Sequence, residues 1–353
     1  MRSPAVTGIL RRLASTKLTL LWMLLLAIGA ALSYDNPADT SIWVLVVPML
    51  LLAINLIAAI ISNPRINRRG GLLVFHLGLL SIVVLAAIGR LSHMEGRVEI
   101  ITGNAFSTQA LSDVRSGPLH RGALDEVSFV QGPYTVEYRA NMMRGLTHSY
   151  VAIPDGQGEW REAVVGDDRP LVLEGFRFYT TFNKGFAPIL SWIGDNGQPI
   201  ETGAVHMPSY PLFDFKQSNS WTPQGGEEIK FWLQLETGLT AEEAWVLDGR
   251  QASGTLVVNV GGKRTELLPG QSVRMPGGTL RYERLTTWMG YKLFYDPTLQ
   301  WMFLTAFMTV AGLGAHFWRK LATEPLGLDK VQRNTSNNRP VQDSAPASRS
   351  VVV

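Results

Sequence analysis

Two imidazoles sit where the sequence offers little water. The run GGLLVFHLGLLSIVVLAAIGR, residues 70–90, is apolar or small up to its final arginine except for His76, about one turn in. A second run, LQWMFLTAFMTVAGLGAHFW at 299–318, carries His316 near its end. A polar ring in such a helix should face protein or a cofactor rather than lipid. Neutral imidazole is a metal ligand and a good axial ligand for the iron of a porphyrin, and desolvation favours that neutral form. Two readings of His76 stay open: an iron ligand, or a packing residue hydrogen-bonded across helices, with Asn55 as the partner if their depths match. His316 precedes Phe317, Trp318 and Arg319, which is also an ordinary interfacial setting. Gly78 would allow a ring or a helix to approach closely. Arg65, Arg68 and Arg69 either attract propionates or simply mark the side of the membrane.

Other chemistry is thinly represented. Cysteine is absent, which excludes disulfides, thiolate nucleophiles, Cys-ligated zinc and covalent haem attachment to this chain. No G-x-S-x-G, H-E-x-x-H or Walker loop occurs. His93, His120, His148 and His206 are scattered without metal-ligand spacing and read as surface or hydrogen-bonded structural residues. Glu227-Glu228 and Glu242-Glu243 read as solvated acids. A net charge of +3 spread along 353 residues gives no expectation of nucleic acid.

The elements that must position the imidazoles are membrane helices. About 20 apolar residues cross a hydrocarbon core, and four runs qualify: 18–34, 41–61 with Pro48 inside it, 70–90 and 299–318. The first also has features of a cleaved leader, but a second span follows within a few residues, so a hairpin is the simpler account. Basic residues beside spans stay in the cytoplasm. Arg2, Arg11, Arg12 and Lys17 precede the first span, Arg65, Arg68 and Arg69 lie between the second and third, and Arg319 and Lys320 follow the fourth. Only Asp35 and Asp39 lie between the first two. Both termini are therefore expected inside, and the long segment before the fourth span outside. His76 and His316 then both fall in the cytoplasmic half of the bilayer, His76 about 7.5 Å from its helix end.

The long outer segment reads as strands. EVSFVQGPYTVEYRA alternates around a Gly-Pro break, and GTLVVNVGGKRTELLPG is a hairpin split by Gly261-Gly262. Asp155-Gly156, Asn196-Gly197 and Pro276-Gly277-Gly278 mark further turns. Residues 113–122 and 208–226 read as loops, the latter aromatic and placed near the membrane or a partner. The expected organisation is a cytoplasmic N-terminus at 1–17, a three-span region at 18–90, a mainly-β extracytoplasmic sandwich or barrel at 91–298, a fourth transmembrane helix at 299–318, and a disordered cytoplasmic tail at 319–353.

Several stretches, taken in order, resemble the ResB/CcsB family of cytochrome c maturation proteins. They are LASTKLTLLWMLLLAIGAALS at the first span, RRGGLLVFHLGLLSIVVLAAIG at the third, EGRVEIITGNAF, LVLEGFRFYTTFNKGFAPILSW, and the Asp-Pro in LFYDPTLQWMFLTAFMTVAGL. Against the family pattern the chain is short and its outer domain trimmed. The resemblance implies a bacterial inner-membrane subunit of a system II haem-delivery complex, which helps move haem outward and present it to apocytochrome c. It implies a multi-span ResC/CcsA-type partner, and a transient, non-covalent haem b shared with that partner. It places the haem ligand of the third span at His76. His316 has no counterpart in the family pattern and stays a further cofactor-binding candidate only through its place in the fourth span. The chain would be a non-catalytic or co-catalytic subunit with no catalytic residue of its own. The rival reading is a membrane-anchored scaffold or sensor whose outer β-domain binds a protein or envelope ligand.

Overall fold

The computed structural model describes residues 4–323, apart from 38, 157, 237–241 and 261. Residues 319–323 of the expected tail instead continue the last helix, and from residue 324 onward the tail lies outside the described residues. The helices are α1 (Pro4–Leu13), α2 (Thr16–Asp35), α3 (Trp43–Ser62), the single turn α4 (Pro64–Asn67), α5 (Gly70–Ser92) and α6 (Leu299–Thr323). Four of them, α2, α3, α5 and α6, are long and apolar enough to cross a membrane. α3 continues through Pro48. The N-terminal helix α1 was not foreseen.

Between α5 and α6 in the chain lie β1 (Met94–Ile101), β2 (Ser112–Ser116), β3 (Val130–Arg139), β4 (Met143–Pro154), β5 (Trp160–Gly166), β6 (Leu171–Leu173), β7 (Phe176–Ile193) and β8 (Pro199–Ala204). They are followed by β9 (Ser218–Trp221), β10 (Ile229–Leu235), β11 (Trp245–Asp248), β12 (Gly254–Val260), β13 (Lys263–Leu267), β14 (Ser272–Met275) and β15 (Gly278–Tyr295). The described residues divide into two compact units, 4–88 with 298–323, and 89–297.

The β unit is antiparallel throughout and is built on one long ribbon. β7 and β15, 18 residues each, pair along nearly their full length. The sheet runs β2-β1-β15-β7-β6, with β14 added to β15 and β8 to β7. Two four-stranded sheets, β13-β12-β10-β9 and β11-β3-β4-β5, complete it. The middle of the ribbon is buried on both faces, as Lys184–Pro188 and Thr286–Tyr291 show. Gly290 marks a register shift there, because a Cβ would stand 2.6 Å from the Asn183 carbonyl oxygen. An aromatic cluster fills the core: Phe106 stacks on Phe129, and Phe178 meets both edge-on.

The turn chemistry is realised. Gly156, Gly197, Gly262 and Gly277 all hold positive φ at or beside the expected hairpin turns, where glycine carries no steric penalty. The Gly132-Pro133 break appears as a bulge in β3, between Gln131 and Tyr134, because proline has no N–H for the ladder. The two stretches read as loops need correction. β2 covers part of 113–122, and β9, with a 3-10 turn at Phe213–Phe215, lies within 208–226. β2 is almost wholly exposed, with Asp113 at positive φ, so it shows none of the alternation that reveals a half-buried strand.

Candidate functional site

His76 is half-buried on α5, and its Nδ1 lies 2.7 Å from the carbonyl oxygen of Leu72, one turn earlier. A carbonyl only accepts, so in the neutral ring Nδ1 carries the proton and donates it. Nε2 then holds the lone pair. Among the described residues Nε2 has no hydrogen-bond partner. Metal-bound histidines typically show this arrangement, one nitrogen donating to a backbone carbonyl while the other faces the metal.

Asn55 is not the partner of His76. Its Nδ2 donates to the carbonyl oxygens of Leu13, at 2.5 Å, and Ser15, and its Oδ1 accepts from the Thr19 hydroxyl at 2.8 Å. This buried amide fastens α3 to the junction of α1 and α2, closing backbone carbonyls at a helix end that would otherwise be orphaned.

Close packing of α5 on α6 settles the role of Gly78. A Cβ at Gly78 would stand 3.0 Å from the Thr309 Cα, one at Gly71 2.8 Å from the His316 nitrogen, and one at Gly312 2.7 Å from the Phe75 nitrogen. Small residues thus let the two backbones meet, and a helix, not a ring, fills the space at Gly78. His76 lies about 140° round the helix from Gly71, away from this seam. It shares a stripe with Val83 and Ala87, which pack with Leu45 and Met49 of α3.

His316 occupies different surroundings. It lines an open cleft of about 420 Å³ together with Arg68, Arg69, Gly70 and Gly71 from the start of α5 and Arg319 and Lys320 from the last turns of α6. The seam sets His316 level with Gly71, about 7.5 Å along the axis from His76. The structure does not bring the two imidazoles together.

The remaining histidines are held locally. His93 and His120 place Nδ1 against the carbonyls of Arg90 and Ser92, and His206 meets Glu99 at 3.2 Å and stacks on Trp288. His148 lies in β4, paired with Thr135. No group of three or more metal-ligating side chains forms among the described residues.

Sequence reasoning missed Lys184. It is 1% exposed in β7, and its side chain has no hydrogen-bond or ion-pair partner among the described residues. Burial and the nearby Arg144 charge push its pKa down to about 7, against the opposing pull of Asp167. Partial burial raises the Asp167 carboxyl, but hydrogen bonds from Arg144 and Thr180, the Arg144 charge and the Thr147 backbone outweigh it and hold the group below the usual range. A lysine in the aromatic block FRFYTTFNKGFAP was the available signal.

Residues 65–198, which include His76 and the first half of the β unit, match the model of the ResB-like family. The likeness to that family covers these residues, less than half of the chain. Comparison with curated proteins gives no match. Among solved structures, a cytochrome c heme lyase, CcmF, aligns with 89% of this chain at 12% identity and a TM-score of 0.28. The chain spans 39% of that protein's length.

Proposed function

We propose that this ResB-like membrane protein is a subunit of a haem-delivery and cytochrome c assembly complex of the system II type, with His76 as an axial ligand to haem in transit. One observation carries the reading: within a segment similar to the ResB-like family, an apolar helix holds an imidazole whose Nε2 lone pair has no partner among the described residues. The Leu72 carbonyl fixes the tautomer, and His316, the other imidazole of the helical unit, stands about 7.5 Å along the axis from His76. The second axial ligand is proposed to come from a partner, a multi-span protein of the ResC/CcsA type. The iron-ligand role is proposed for His76 and not for His316, whose cationic surroundings suit an anion.

With both termini in the cytoplasm of a bacterial inner membrane, the β unit faces outward and receives apocytochrome c. Haem b is cargo, bound transiently. With no cysteine, the chain cannot itself accept it through thioethers, and it is not proposed as an enzyme by itself.

The test is an absorption spectrum of the full chain purified with its multi-span neighbour. A bis-imidazole haem spectrum is expected. His76→Ala should lower bound haem at least about tenfold, one factor of ten per 1.4 kcal/mol, and added imidazole should restore it. Unchanged haem content in His76→Ala would overturn the reading in favour of the scaffold or sensor.

A further inference from the structure

We propose that the cleft at the paired ends of α5 and α6 binds the phosphodiester headgroup of an anionic membrane phospholipid. The inference is independent of the haem reading and rests on the cleft itself. Two segments about 250 residues apart in sequence deliver its charge, Arg68 and Arg69 from one side and Arg319 and Lys320 from the other. Gly70 and Gly71 add the first backbone N–H groups of a 23-residue helix, which have no intrahelical acceptor and carry the positive end of its dipole. No acidic side chain lines the cleft among the described residues. His316 contributes a ring that can donate to a phosphate oxygen.

The surroundings select the source of the phosphate. The cleft lies where two membrane-length apolar helices end, in the layer that lipid headgroups occupy. Beside it on α6, Phe317, Trp318 and Leu321 are exposed at 51%, 75% and 73%. An apolar, aromatic wall next to a cationic pocket fits a molecule with acyl chains on one end and a phosphate on the other, and basic pockets between membrane helices recognise such headgroups. The porphyrin is the other anion-bearing candidate, but His76 lies about 140° round α5 from Gly71. A ring held there would have to reach around the helix to place a carboxylate in the cleft.

The experiment is native mass spectrometry of the full chain released from bilayer discs containing phosphatidylcholine with or without phosphatidylglycerol. Retention of phosphatidylglycerol over phosphatidylcholine is expected. Arg68→Gln and Arg69→Gln should each weaken it at least about tenfold, the loss of a charge-assisted hydrogen bond to the phosphate. Arg65→Gln removes the same charge from α4, three residues before Arg68, but lies outside the cleft lining, and should leave retention unchanged. Lys320→Gln repeats the test from the α6 side should the arginine variants insert poorly. The proposal is overturned by equal retention of both lipids, or by an Arg65→Gln effect as large as the others. It is also overturned if millimolar inorganic phosphate displaces the lipid, which would place the ligand in solution, or if the cleft variants lose haem while keeping lipid.

Discussion

The β unit and the helical unit bury their side chains to very different degrees. In the β unit Phe176, Phe178, Tyr282, Trp192 and their neighbours form one continuous core, each at or near zero exposure. In the helical unit Phe303 is 80% exposed and Val310 72%, and the buried cluster reduces to Leu45, Met49 and Ala87 with a few flanking residues. One part completes its interior from its own sequence. The other leaves apolar surface for hydrocarbon or another protein to cover, as expected of helices whose solvent is lipid. The candidate residues follow this division: His76 presents a nitrogen that has no partner among the described residues from the helical part, while Lys184 is enclosed in the β part.

Core truncation offers the sharpest contrast. Phe178→Ala should cost about 3–5 kcal/mol, the price of emptying an aromatic core position, in guanidinium melts followed by tryptophan fluorescence in detergent. Phe303→Ala should shift the same melt by less than about 0.5 kcal/mol, as for ordinary exposed positions. Comparable losses would break the distinction between the units.

Lys184 should give the next largest effect. Its folded pKa, about 7, lies below its ordinary 10.5, so between these values the unfolded chain binds more protons. Stability therefore rises from about pH 7 to about pH 10.5, and is lost as pH falls through the folded value. Lys184→Met should stabilise the protein at pH 7, on the order of a few kcal/mol, and flatten that rise. Melts at pH 7 and pH 9 with an unchanged slope would show that the ammonium is already solvated.

The smaller effects probe the polar and steric contacts of each unit. Gln131, Ser149 and Tyr291 close a buried triangle, with Tyr291 donating to Gln131 at 2.7 Å, Gln131 to Ser149 at 2.8 Å, and the two hydroxyls 2.6 Å apart. Burial pushes the Tyr291 phenol above its usual range despite these bonds. Tyr291→Phe strands two buried groups and should cost about 1–3 kcal/mol in the same melts. In the helical unit, Gly78→Ala forces a methyl onto Thr309 and should cost about 1–3 kcal/mol by overpacking. Thr309→Gly in the same chain should recover part of that loss; no recovery would place the strain elsewhere.

The spans and hairpins were legible because their signals are local. Twenty apolar residues or a Gly-Gly between two alternating runs decide the outcome without reference to distant partners, and β12 and β13 pair through Val260 and Lys263 as their turn dictates. The β7–β15 ribbon joins residues about 100 positions apart, and no single stretch announces such a pairing. The doubly buried strands lack alternation for the same reason, which hid Lys184. His76 was visible as an anomaly of type against background. Its freedom was not, because that depended on Asn55 being engaged by Leu13, Ser15 and Thr19. The cleft around His316 escaped notice because its arginines, read along the chain, serve equally well as topology signals.

The bond from His76 to Leu72 stays within a single turn of one helix. The orientation of that ring is therefore portable. A synthetic bilayer-spanning peptide copying this stretch would hold its imidazole in the same tautomer without the rest of the chain, and the affinity lost by such a fragment would measure what the surrounding architecture adds.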